Sequence, residues 1–472
     1  MSDERIFNGV DARTGRYLRA PATEEEFARQ IRDEPLDLAR QRQYEWIVER
    51  FGGDNPNRTH AHDVDPKNLA SAGWGVIFAP GITSGIETAL DPLLKRRAHQ
   101  TGSYFKTYLY GATSTAPTQK ETFFTADLTE PDPADPKQVP YYLLIVGSPE
   151  EIPFRFQYEL AVKHAVGRIH FDNEEDYRAY AQNVVEAEKA AEAGSDALPE
   201  KKVALFGVSH QGDAATERAA AELIQPLEEK LASDRPGWPR EIFLGSQATK
   251  AQLSRLLGGG GTPSLLLSAS HGMAFPFKDS LQRSCQGALL CSDWPGEGHE
   301  PLPEHYLSGN DLAGEANLRG LIAFHFACYS GGTPHVTSFN DLTLGKPQPI
   351  APSPFVSHLA QRLLSHPQGA LAVVGHVDRA WSSSFSWSKR GQVGIFENTF
   401  KRLLDGYPIG HAMEYFSLRH AQMAVIYSDL CQDRDALDPV NEAQFSRAYR
   451  ANNDARNFVV LGDPAVRAMF RA

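Results

Sequence analysis

Four cysteines in 472 residues, Cys285, Cys291, Cys328 and Cys431, are too few for a disulfide scaffold, and none has the short paired spacing of a zinc site. They read as reduced thiols. No stretch approaches the ~20 consecutive apolar residues that a membrane helix needs. The mixed-charge opening Met-Ser-Asp-Glu-Arg-Ile-Phe does not resemble a secretory signal. A cytoplasmic location without membrane association is therefore expected. Positive charge is also in deficit, with 47 Lys and Arg against 59 Asp and Glu and a net charge of -12. That balance argues against a nucleic-acid partner.

Several chemical signatures are missing as well. Gly258–Gly261 lacks the Gly-Lys-Ser/Thr of a phosphate loop and reads as a turn. No Gly-x-Ser-x-Gly elbow is present, which weakens a serine hydrolase reading, and no His/Asp/Glu cluster has metal-ligand spacing. No cofactor and no metal are expected.

What is present is an ordinary globular composition, 41% hydrophobic and 22% charged, long enough to bury a core without staples. A polar first segment carries an expected helix over Glu24–Arg50. Short apolar runs at Trp74–Pro80 and Tyr141–Val146 fit buried strands, and an Ala/Glu-rich helix is expected over Asp176–Ala193. The connector at 193–200 is the best boundary, dividing an N-terminal region (1–195) from a second domain (200–472). Beyond it strands and helices alternate: Val203–Val208, a helix Asp213–Leu231, Glu241–Leu244, a helix Thr249–Leu257, Ser264–Ala269, Leu321–Ala327, a helix Pro354–Ser365 and Ala370–Val377. This alternation predicts an α/β fold with a mostly parallel sheet flanked by helices. In such sheets ligands bind outside the carboxyl ends of the strands.

Reactive residue types collect at those ends. Ser264–Gly272 reads Ser-Leu-Leu-Leu-Ser-Ala-Ser-His-Gly, so a buried strand delivers His271 and Gly272. Leu321–Gly332 ends in Ala-Cys-Tyr-Ser-Gly-Gly, so a second strand delivers Cys328. If the two strands are parallel neighbours, roughly 5 Å apart, imidazole and thiol share one cleft. A thiolate is the nucleophile, and a nearby imidazole can raise its population and protonate a leaving amine. The Gly272 and Cys328 amides are candidates for an oxyanion hole. Cys285 reads as a loop residue and His325 as a core histidine, while His210 and His376 also lie near strand ends.

His-Gly after one strand and Ala-Cys-x-x-Gly after the next resemble the caspase-like cysteine peptidases, a group that includes caspases, gingipains, separases and CHAT-domain proteases. The His-to-Cys spacing is close to the about 50 residues of the caspase signature. The surrounding Ala-Cys-Tyr-Ser-Gly departs from the caspase Gln-Ala-Cys-Arg-Gly, which points to a gingipain- or CHAT-like branch. Tyr142–Pro153 and Ala165–Ile169 resemble the non-catalytic subdomain of gingipain-type enzymes, and Val459–Val466 the end of their catalytic one. The resemblance covers about residues 140–470 and implies a caspase-like fold with an N-terminal pseudo-catalytic subdomain. It also implies a cysteine endopeptidase acting on protein substrates through the dyad of His271 and Cys328.

Relatives of this kind include proteases of bacterial defence, some linked to CRISPR signalling and switched on by an upstream protease. Basic cut sites are available at Lys278–Arg283 and Lys389-Arg390. In the segments that resemble the caspase specificity loops, this sequence offers acids, Asp213 and Asp378. Cleavage after Arg or Lys is therefore expected. Asp213 can equally be a helix N-cap, and Trp381 can wall a subsite or fill the core. A catalytically silent interaction module and a cysteine transpeptidase remain open alternatives.

Overall fold

A chain in which apolar runs are buried on both faces should form parallel strands between helical layers, and the computed structural model has this form. It describes residues 9–18, 64–111, 121–123, 135–339, 349–387, 390–391, 393–435 and 440–471. The helix expected over Glu24–Arg50 lies outside the described residues, as does Lys389.

Among the described residues eleven strands make one sheet: β1 (Trp74–Phe78), β2 (Phe105–Tyr110), β3 (Glu121–Phe123), β4 (Tyr142–Val146), β5 (Ala165–Ile169), β6 (Glu200–Gly207), β7 (Arg240–Leu244), β8 (Pro263–Ala269), β9 (Ile322–Phe326), β10 (Ala372–His376) and β11 (Phe458–Gly462). Their order across the sheet is β3-β2-β1-β4-β5-β11-β10-β9-β8-β6-β7. Neighbours run parallel except β10 and β11. The period-2 alternation of strands explains the layering. In β4, Tyr142, Leu144 and Val146 enter one apolar cluster while Leu143 and Ile145 enter another on the opposite face.

The connector at 193–200 separates a helix, Glu174–Glu192, from β6, but one sheet runs through both halves. Its seam is β5 against β11. A buried ion network crosses the same seam: Arg97, on the helix Ser84–Thr101, meets Asp463 at 2.7 Å and Glu188 at 2.6 Å. Breaking such a buried set would leave an unpaired charge in the core.

Two expected elements differ in detail. The helix after β6 runs from Ala214 to Asp234 with a π-type stretch at Ala219–Ile224. Pro226 follows at once; it has no N–H to donate and its ring crowds the preceding turn, which the wider π turn relieves. The expected helix Pro354–Ser365 begins only at His358. Phe355–Val356 pairs instead with Gly332–Thr333 and braces the loop after Cys328.

Candidate active site

The register of the central strands brings the loops together. β8 and β9 pair Ser268 with His325 and Ala269 with Phe326, so His271 and Cys328 leave neighbouring strand ends. Gly272 lies against the backbone of Cys328: a Cβ at 272 would sit 1.8 Å from the Cys328 carbonyl oxygen, so only glycine fits. β6 ends beside β8, with the Val208 N–H donating to the Ala269 carbonyl at 3.0 Å. β10 ends on the other side of β9, where the Gly331 N–H donates to His376 O at 3.0 Å. Four loops thus converge at the carboxyl end of the sheet.

The loop after Cys328 is clamped. Ser330 Oγ donates to the carbonyls of Ala327 (2.7 Å) and His325 (2.9 Å) and accepts from the His376 N–H (3.0 Å). Tyr329 and Asp378 both take positive φ, +59° and +77°, and the Tyr329 N–H donates to Asp378 O at 2.7 Å. Left-handed backbone at non-glycine residues costs on the order of 1–3 kcal/mol each and collects at functional sites. Here it bends the chain next to the thiol. Cys328 Sγ lies 3.9 Å from the Ala380 carbonyl, donating to it, and is 2% exposed. Burial pushes the thiol up to about 12, opposed by the Ala380 contact and the charge of Arg379.

His271 Nε2 donates to Asp213 Oδ2 at 2.5 Å, with both side chains buried. A carboxylate only accepts, so Nε2 carries the proton and Nδ1 is left as the basic nitrogen. Asp213 Oδ1 accepts from the Ala215 and Thr216 N–H groups, capping the helix. Burial alone would raise the Asp213 carboxyl; His271 and the amide donors outweigh it and hold it below the ordinary value.

Neither acid expected at a pocket floor is open to a substrate cation. Asp213 is engaged by His271 and the helix cap. The Asp378 carboxylate accepts from Thr337 Oγ1 (2.7 and 2.9 Å), the Ser338 N–H (2.6 Å) and the Arg379 N–H (2.9 Å). Trp381 is buried in a cluster with Phe339 and Tyr449. His325 bonds Ser268 Oγ at 2.7 Å inside the core, and burial lowers it to about 4. His376 is fully buried on Asp454, 3.2 Å from its carboxylate and 3.0 Å from its carbonyl.

Three further residues stand at this site without a sequence signal that marks them. Ser330 carries no signal beyond standing two places after the cysteine. Asp454, on the helix Glu442–Arg456, holds the loop of Trp381 through Trp381 N–H, Ser383 and Ser384. Arg379 is buried with Nε and Nη1 lacking hydrogen-bond partners, beside Tyr329 and Cys328.

The sequence model of peptidase family C25 matches residues 129–469. The chain belongs to this family. A C25 chain is a cysteine peptidase with protein substrates, and the gingipain-type resemblance is thereby confirmed over more than the second half of the sequence. No curated protein matches. Among solved structures, one described as a protease is similar with a TM-score of 0.50 and 13% identity, over 88% of this chain and 80% of that one. The Arg-specific cysteine proteinase gingipain R is similar at 0.43 and 12% identity, over 87% and 81%. The pro- and mature-domain complex of Porphyromonas gingivalis RgpB gives 0.43 and 12%, over 84% and 80%. At 13% identity the first of these likenesses speaks for a shared fold alone, and the C25 match carries the family. Among the described residues no helix is long and apolar enough to cross a membrane.

The raised thiol of this peptidase has a measurable consequence. Only the thiolate is alkylated, so iodoacetamide labelling of Cys328 is expected to be slow at pH 7 and to rise about tenfold per pH unit, without a plateau before pH 10. The sign for stability is opposite. The folded thiol keeps its proton where an unfolded one, near 8.5, has lost it, so the folded state loses stability as pH rises above that value. Arg379→Met is expected to slow labelling at every pH in this range, and Arg379→Lys to restore part of it. A plateau near pH 8 would show the thiol to be ordinary.

Proposed function

We propose that the chain is an endopeptidase in which Cys328 attacks the scissile carbonyl, His271 moves the proton and Asp213 orients His271. The observation that carries this is the 2.5 Å bond from His271 Nε2 to a buried, helix-capping Asp213, on a strand end beside that of Cys328. Attack forms the C–S bond of a tetrahedral intermediate as the thiol proton passes to His271. The amine leaves with that proton, and water then cleaves the thioester. The Gly272 and Cys328 N–H groups serve as oxyanion donors in this reading, supported by the close approach of their backbones. Hydrolysis of a fluorogenic peptide mixture by the wild type, absent in Cys328→Ala, tests it; equal rates would overturn it.

Side-chain choice is a separate matter. The expected preference for Arg or Lys drew on Asp213 and Asp378, whose carboxylates are both engaged. One observation favours a second reading: Arg379, with two guanidinium nitrogens lacking partners in the loop against Cys328, suits a substrate carboxylate. In a panel varying the residue before the cleaved bond over Arg, Lys, Asp and Ala, Asp substrates are expected to be cleaved best. A preference for Arg or Lys would restore the basic reading and require a different acid.

A further inference from the structure

A second cleft lies at the seam of the two halves, where β5 meets β11. Three helices help to wall it: Phe154–Ala161, Glu414–Asp435 and the end of Glu442–Arg456. It encloses about 470 Å³, part of which is open to solvent. Apolar side chains make one part of its lining, Tyr158, Met413, Phe416 and Phe458 among them. The polar part is uneven. Gln157 is spent on the fold, donating to Val460 O at 3.3 Å and accepting from Arg168 Nε at 2.9 Å. His164 is spent through Nδ1 on the Pro140 carbonyl at 3.0 Å. His420 differs from both. It is 3% exposed, and its Nε2 has no hydrogen-bond partner among the described residues. Native folds rarely leave a buried polar nitrogen unmatched. The Arg456 guanidinium lies nearby, 5.9 Å from the Tyr158 ring, and together with burial its charge lowers His420 to about 3. The imidazole is therefore neutral at pH 7, and with the proton on Nε2 it is a donor. Among the described lining residues none is acidic.

We propose that this cleft is a binding site for a small monocarboxylate with a short apolar tail, its carboxylate held by Arg456 and the Nε2–H of His420. A guanidinium and a ring N–H in one recess suit a carboxylate, which only accepts and gains charge-assisted bonds from both. The apolar wall then buries the tail. A phosphate would bring a second negative charge that one guanidinium and a neutral imidazole do not answer. The helix that ends in Arg456 also carries Asp454, whose carboxylate holds Ser383 and Ser384 in the loop of Trp381. Arg456 itself donates through Nη2 to Ser338 Oγ at 2.6 Å, and the Ser338 N–H serves Asp378. The cleft is thus built on the elements that brace the loops at the candidate active site. None of His271, Cys328 or Asp213 lines it, so the inference does not rest on the peptidase reading.

The test is calorimetric titration of the full chain with acetate, butyrate and butyramide at constant ionic strength and neutral pH. Butyrate is expected to bind at least about tenfold tighter than butyramide, which has the same shape without the charge. Acetate should bind more weakly than butyrate, by about threefold for each methylene lost. His420→Phe keeps a ring and removes the donor, and should weaken butyrate at least about tenfold. Ser417, half-buried in the lining, offers a second variant: Ser417→Phe fills the recess and should abolish binding. Cys328→Ala should bind butyrate as the wild type does, whether or not it still cleaves peptides. No binding of butyrate at about 20 mM would overturn the proposal. So would butyramide or acetate binding as tightly as butyrate, or an affinity unchanged in either folded variant. Should His420→Phe fail to fold, Ser417→Phe alone decides.

Discussion

Cys328→Ala is expected to lose at least about a thousandfold in kcat/KM on every peptide the chain cleaves, because no other atom at this strand end can form the thioester. The substitution is otherwise mild. It removes one buried sulfur whose contact is a 3.9 Å approach to Ala380 O, while the Ser330 clamp and the Tyr329–Asp378 backbone bond stay in place. The thermal midpoint should therefore shift little, by about 1 kcal/mol or less in stability. Fluorogenic hydrolysis beside a melting curve checks both halves. Cys285→Ala is the matched control. That thiol is buried near Ser284 and Asn310, and its removal should leave the rate unchanged. A rate retained in Cys328→Ala would mean that the nucleophile lies elsewhere.

Asp213→Asn is expected to lower kcat about a hundredfold or more, with KM nearly unchanged, for basic, acidic and neutral substrates alike. Asparagine caps a helix about as well as aspartate, so the bonds from Ala215 and Thr216 survive and the fold should hold. What disappears is the carboxylate acceptor that fixes Nε2 as the donor nitrogen of His271. Loss confined to Arg and Lys substrates would instead make Asp213 a pocket acid that swings away from His271. The pH dependence follows from the same bond. A carboxyl held below its ordinary value in the fold contributes stability that is present above the unfolded value, near 3.9, and is lost as pH falls through the folded one. The stability difference between wild type and Asp213→Asn should therefore be constant at neutral pH and shrink only below about pH 4.

Much of this site could be read from the chain. His271-Gly272 and Ala327-Cys328 stand at the ends of apolar runs, and a run of that length is a strand whichever partners it finds. The glycine after the histidine is there because the Cys328 carbonyl leaves no room for a Cβ. The helix cap at Asp213 was also legible, since an acid before an Ala/Glu-rich stretch stabilises the first turn.

The partners of those residues were not legible. At a strand end a carboxylate suits a substrate guanidinium as well as a helix cap, and the His271 imidazole meets Asp213 only because β6 lies beside β8, a pairing local propensity does not encode. Asp378 looks like an open acid in Val-Asp-Arg-Ala-Trp, yet Thr337 and Ser338 arrive from a loop some forty residues away and saturate it. Arg379, next along the same loop, carries no sequence signal for the same reason. Its burial beside Cys328 and its unmatched nitrogens exist only once the loops have closed.

Period, burial pattern and turn chemistry are local properties, and they were enough for a mostly parallel α/β protein with a cysteine and a histidine at strand ends. Tertiary structure alone brought Asp213 to His271, closed Thr337 and Ser338 on Asp378, and paired Val10–Asp11 with Met273–Ala274. Each of those is a contact between segments far apart in the chain, fixed by strand order and by the desolvation that makes every buried donor find an acceptor.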